Sequence, residues 1–135
     1  MNWRLIIMLS LFGLAMAVGT VYFIPSNVEP FCWLAIFFIC AYIIAKNAPG
    51  KYFLHGFLTS LINCVWITSI HIIMSDTYIA NHAMEAEQTK KMFGDMPLKE
   101  SMAIMGPIVG IASGLVLGLF SWIASMLFKK KTVQA

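Results

Sequence analysis

The sequence predicts an all-α fold: an integral-membrane four-helix bundle with an extramembrane helical segment between its third and fourth spans. Three observations predict it. Of 135 residues, 60% are hydrophobic and 11% charged, with a mean hydropathy of +0.82, where soluble domains carry about 45–50% and about 25%. The charged residues leave four apolar stretches near the roughly 20 residues that cross a hydrocarbon core. Small residues recur every four positions in two of those stretches. The same composition excludes a disordered chain, which is poor in apolar residues and rich in charge. The net charge of +3 draws no basic stripe, so no nucleic-acid partner is expected.

The first span is expected at 5–24. A cleaved signal peptide is the competing reading, from Arg4, the apolar run and Ala15-Met16-Ala17. It is disfavoured because apolar sequence continues to Ile24 and because losing this span would carry Lys129, Lys130 and Lys131 to the other side. Pro25 to Pro30 then brackets a turn with two prolines. The second span, 31–45, is short, so Lys46 is expected to snorkel while Trp33 anchors the far end. Asn47-Ala48-Pro49-Gly50 supplies the next turn, and the third span follows at 52–74.

The outer segment, 75–100, turns polar. Ser75 or Asp76 offers a cap, Glu87 pairs with Lys91 at four residues' spacing, and Gly94 supplies a left-handed stop. One extramembrane helix is expected, continuing the third span outward or lying on the bilayer surface with Tyr78, Ile79, Ala83 and Ala86 inward. Asp95 before Pro97, with Glu100 beyond, reads as an N-cap and first turn. The fourth span is expected at 107–128, with a kink or a helix start at Pro107.

Orientation follows from lysine and arginine, which favour cytoplasmic flanks. Arg4, Lys46, Lys51, Lys129, Lys130 and Lys131 fall on one side. Lys90, Lys91 and Lys99 fall on the other with every acid of the chain: Glu29, Asp76, Glu85, Glu87, Asp95 and Glu100. Both termini are therefore expected in the cytoplasm. Cys32, Cys40 and Cys64 all lie within spans and are expected to pack as small hydrophobes without a disulfide framework.

Helices in lipid gain attraction from close approach through small residues. Gly106, Gly110, Gly114 and Gly118 recur every four residues, and Gly56, Ser60, Cys64 and Thr68 form a matching row on the third span. The expectation is groove-to-groove packing of these two spans within one protomer; a glycine contact between protomers is the alternative. The first span offers Gly13 with Ala17 and Ala15 with Gly19.

His71, Asp76, His82 and Glu85 are four candidate metal ligands within fifteen residues, His82 and Glu85 sharing a helix face. Zinc sites need three or four converging ligands, so solvation or local hydrogen bonding is the commoner fate of such groups. Six of the ten methionines, Met74, Met84, Met92, Met96, Met102 and Met105, cluster here; with imidazole they suit soft ions such as Cu(I), and packing is the plainer role. Asn63 lies about mid-bilayer, where a polar side chain marks either a pathway or a hydrogen bond to a neighbouring helix. His55 and His71 stand nearly opposite on the helical wheel, which argues against a single relay. No Gly-x-Ser-x-Gly elbow and no His-Glu-x-x-His helix occurs, so no enzyme is expected.

From the Gly-Phe-Leu-Thr-Ser opening within Tyr52 to Thr68, through the acid- and methionine-bearing segment, to the glycine-rich span ending Lys-Lys-Lys, the chain resembles small bacterial four-span membrane proteins grouped only as uncharacterised families. The resemblance implies a bacterial cytoplasmic-membrane location and no site residues. The expected function is a helix-packed accessory or scaffold component without a cofactor. Its expected partners are the lipid bilayer and either further copies of itself or another membrane protein. The alternative is a small oligomeric transporter or metal-ion-binding protein, for which a polar cavity near Asn63 is the discriminating feature. A lipid-modifying enzyme would need His82 or His71 to meet an acid beside a substrate groove.

Overall fold

The computed structural model describes residues 1–129. They form six α-helices: α1 (Trp3–Tyr22), α2 (Glu29–Asn47), α3 (Tyr52–Ile73), α4 (Ser75–Asn81), α5 (Ala83–Phe93) and α6 (Leu98–Phe128). No strand occurs among the described residues. Four helices, α1, α2, α3 and α6, are long and apolar enough to cross a membrane.

Local chemistry sets most of the ends. Asn2 caps α1, its Oδ1 accepting from the Leu5 N–H at 3.1 Å. Pro30 sits in the first turn of α2, where a missing N–H costs nothing, and this lets α2 run beyond the 31–45 apolar stretch at both ends. Gly50 and Lys51, with φ of 151° and 50°, turn the chain into α3. Gly94, at φ 63°, closes α5. Two start signals act differently from expectation. Ser75 is already the first residue of α4, and Pro97 rather than Asp95 precedes α6; neither helix has a side-chain cap.

Pro107 is not a helix start, because α6, 31 residues long, begins at Leu98 and includes it. The outer segment is two helices instead of one. They break at His82, whose backbone (φ −133°, ψ 53°) leaves the helical region because its ring is drawn inward to α1.

The helices pack in the order α1, α3, α6, α2. Hydrogen bonds join residue 2 to 55 and 20 to 71, so α1 and α3 run parallel. Gly56 faces Leu117 while Gly106 faces Thr68, so α3 and α6 run antiparallel. Stacking of Phe38 on Phe120 and an edge contact of Tyr42 with Phe128 set α2 parallel to α6. Consecutive α1 and α2 scarcely touch. Arg4, Lys46, Lys51 and Lys129 thereby gather at one end of the bundle and all six acids at the other; Lys130 and Lys131 lie outside the described residues.

The core is concentrated at the lysine-rich end. Leu5, Leu9, Phe37, Ala41, Ile44 and Leu117 are central to it. All the buried residues of α2 lie from Phe37 onward, and Glu29 and Trp33, in its first two turns, line a cavity. The outward faces are apolar, with Met8, Phe38, Val65, Leu115 and Leu127 all exposed.

A candidate ligand-binding cavity

The walls of the site begin with the contact of α3 and α6, where the two rows of small residues meet. Ser60 Oγ lies 2.8 Å from Ser113 Oγ, the Cys64 thiol donates to the Gly106 carbonyl, and Gly110 lies against the Cys64 side chain. Gly114 and Gly118 sit against Phe57 and Phe53. Serine hydroxyls on α6 bond back to their own helix, as Ser121 does to the Leu117 carbonyl at 2.8 Å. They therefore present little unsatisfied polarity at the contact.

On its other side α3 meets α1. Gly13 packs on Asn63 so closely that a Cβ there would fall 2.7 Å from the Asn63 Cα. Trp66 Nε1 donates to Ser10 Oγ at 3.2 Å. All three histidines serve this side of the fold. His55 Nε2 accepts from the Asn2 backbone N–H at 3.0 Å, and His71 Nε2 lies 2.8 Å from Thr20 Oγ1. His55 and His71 do stand far apart on the wheel, yet α1 reaches both, by the backbone before its first turn and by Thr20 near its last.

His82 does more. Its Nε2 donates to the Thr20 carbonyl at 2.6 Å, and its Nδ1 accepts from Ser26 Oγ at 2.8 Å. Its neighbour Asn81 donates to the Val21 carbonyl at 2.6 Å. Thr20 and Val21 belong to the last turn of α1, whose carbonyls have no partner within the helix. The junction of α4 and α5 is thus the C-terminal cap of α1.

Of the four candidate metal ligands, the structure brings His71, His82 and Glu85 into one neighbourhood. Tyr78 lies between the two imidazoles, with ring centroids 4.1 and 4.5 Å away, and Glu85 Oε2 is 3.8 Å from His82 Nδ1. Asp76 is exposed and apart. The bonds just given occupy both His82 nitrogens and His71 Nε2, and no group of three or more His, Cys, Asp or Glu suited to a metal forms among the described residues.

A cavity of about 480 Å³ lies between α2, α3 and α6, roofed by α5. That volume is in the range of small-molecule sites, roughly 300–1,000 Å³. Glu29, Trp33, Tyr78 and Glu85 line its mouth at the acidic end; Met102 and Met105 line its wall, and Ser60, Asn63 and Ser113 its depth. Asn63 is only 2% exposed, yet neither its amide nitrogen nor its oxygen has a hydrogen-bond partner among the described residues. Glu85 Oε2 is buried and likewise without a hydrogen bond.

Trp33 Nε1 donates to Glu29 Oε1 at 3.2 Å, one turn along α2, and steadies that carboxylate. Burial, reinforced by the Glu29 and Glu85 carboxylates, pushes the Tyr78 phenol above its usual range and keeps it neutral. A buried amide left unpaired costs about 1–3 kcal/mol, and the Asn63 oxygen is turned to Gly13 of α1.

Asn63, Ser60, Cys64 and Thr68 were visible in the sequence as intramembrane polar or packing positions, and the cavity adds a second face to their roles. Glu29, Trp33 and Tyr78 carried no such signal; they read as a turn acid, an interface anchor and an apolar helix position. Compared with protein-family models, curated proteins and solved structures, the chain matches none.

Proposed function

We propose that this chain is a multi-pass membrane protein that binds a small amphiphilic molecule, admitted at the acidic end of the bundle and held between α2, α3 and α6. The observation that carries the reading is the cavity, with Glu29, Glu85, Trp33 and Tyr78 at one end and an apolar wall beyond them. A polar cavity near Asn63 is what separates a ligand-binding protein from a purely structural one, so the accessory or scaffold role stands second. An apolar shell around a bundle of four long helices suits lipid surroundings. The charge split favours a cytoplasmic lysine-rich end, and with it cytoplasmic termini. A bacterial cytoplasmic membrane is the setting that the layout resembles. The rows of small residues on α3 and α6 act as a glycine-zipper contact within the protomer.

Orientation has a direct check. In intact cells, Met84→Cys should react with a membrane-impermeant maleimide, whereas Asn47→Cys should react only after permeabilisation. The reverse pattern would invert the topology and move the cavity mouth to the cytoplasm.

Binding is tested with purified protein in nanodiscs, titrated with octylamine, octanol and octanoate. At least one should raise the unfolding temperature saturably, and Thr89→Trp, which fills the mouth, should abolish the rise. Indifference to all three probes would return the protein to the scaffold reading.

A further inference from the structure

We infer that the ligand is an organic cation, an aliphatic amine whose ammonium sits at the Glu29 and Glu85 mouth and whose chain lies along the apolar wall below it. The inference rests on the cavity reading above and names its ligand class.

The mouth has the chemistry of ammonium recognition. Glu29 and Glu85 line it, and among the described residues no lysine or arginine joins them. Lys91, on the outer face of α5, is paired with Glu87 at 2.9 Å. Trp33 and Tyr78 add aromatic faces, the surfaces to which a cation is drawn by the ring quadrupole. Glu85 Oε2 is buried without a hydrogen bond, and a buried carboxylate oxygen gains most from a charged donor. His82, at 3.8 Å, does not satisfy it, because Ser26 already holds the facing nitrogen.

Below the mouth the walls turn apolar, with Phe37, Ile67, Met105 and Val109. They suit methylene groups and offer no second charge. From His71, level with the mouth, to Asn63 is eight residues of α3, roughly 12 Å at the helical rise. An amine carrying a chain of about eight carbons spans that distance.

The test compares aminooctanol, octylamine, octanediol and hydroxyoctanoate on the nanodisc protein by calorimetry. Octylamine and aminooctanol should bind more tightly than octanediol, and hydroxyoctanoate most weakly. Glu85→Gln, which keeps the shape and removes the charge, should weaken aminooctanol at least tenfold and leave octanediol unchanged; Glu29→Gln should act in the same direction. Binding indifferent to charge, or a preference for hydroxyoctanoate, overturns the cation inference while the cavity reading survives. Binding of none of the four overturns both.

Discussion

Gly56→Leu is expected to prevent the bundle from assembling, whereas Gly19→Ala should leave it intact. At Gly56 an added Cβ would lie 2.5 Å from the Leu117 carbonyl oxygen and 2.9 Å from its carbon. Both are backbone atoms in the middle of a helix, so relief requires α3 and α6 to separate. At Gly19 the nearest atom is the tip of the Ile24 side chain, 3.0 Å away, which can rotate aside. Overpacking by a few atoms costs about 1–3 kcal/mol; alanine at Gly56 should fall at the upper end of that range and leucine should exceed it. Yield of monodisperse protein and its unfolding temperature report the difference. A Gly56→Leu protein that folds normally and alters only its oligomer size would mean that α3 and α6 are not the essential pair.

His82→Ala should be the most damaging change at the acidic end. It removes the donor to the Thr20 carbonyl and the acceptor for Ser26, and it unstacks the ring from Tyr78. With two polar partners stranded at about 1–3 kcal/mol each, a loss of about 2–4 kcal/mol is expected. It should be accompanied by fast hydrogen exchange of the amides of α4 and α5 and of the last turn of α1. Unchanged exchange in α1 would show that the cap is incidental. Asn81→Ala should have a smaller effect, since the exposed Asn81 gives up a single hydrogen bond.

The parts of this fold that could be read from the sequence are those governed by local pattern. Four long helices followed from hydropathy, and the contacts of Thr68 with Gly106 and of Cys64 with Gly110 followed from a spacing of four on two helices, whereas Gly114 and Gly118 meet Phe57 and Phe53, and Gly56 meets Leu117. What escaped depends on distant partners. The break at His82 is set by a carbonyl 62 positions earlier, and nothing in the local run of Ala80 to Glu85 announces it. The neighbour order also escaped, since the short connections suggest that α1 lies beside α2, while each packs mainly on a different helix.

The cavity was the least legible feature of all. It lies beside the part of α2 before Phe37, and that run is apolar on every side, so no periodicity marks which face is lined and which is bare. Asn63 was recognised as a polar residue at depth, but not as one left without a partner. Glu29, Trp33 and Tyr78 become a site only when three separate segments are brought together.

The dense packing of Leu5, Leu9, Ile44 and Leu117 beneath Asn63 has a kinetic corollary. On the binding proposed above, these side chains would bar the way from the cavity to the lysine-rich end, so the bundle would hold a solute without passing it across.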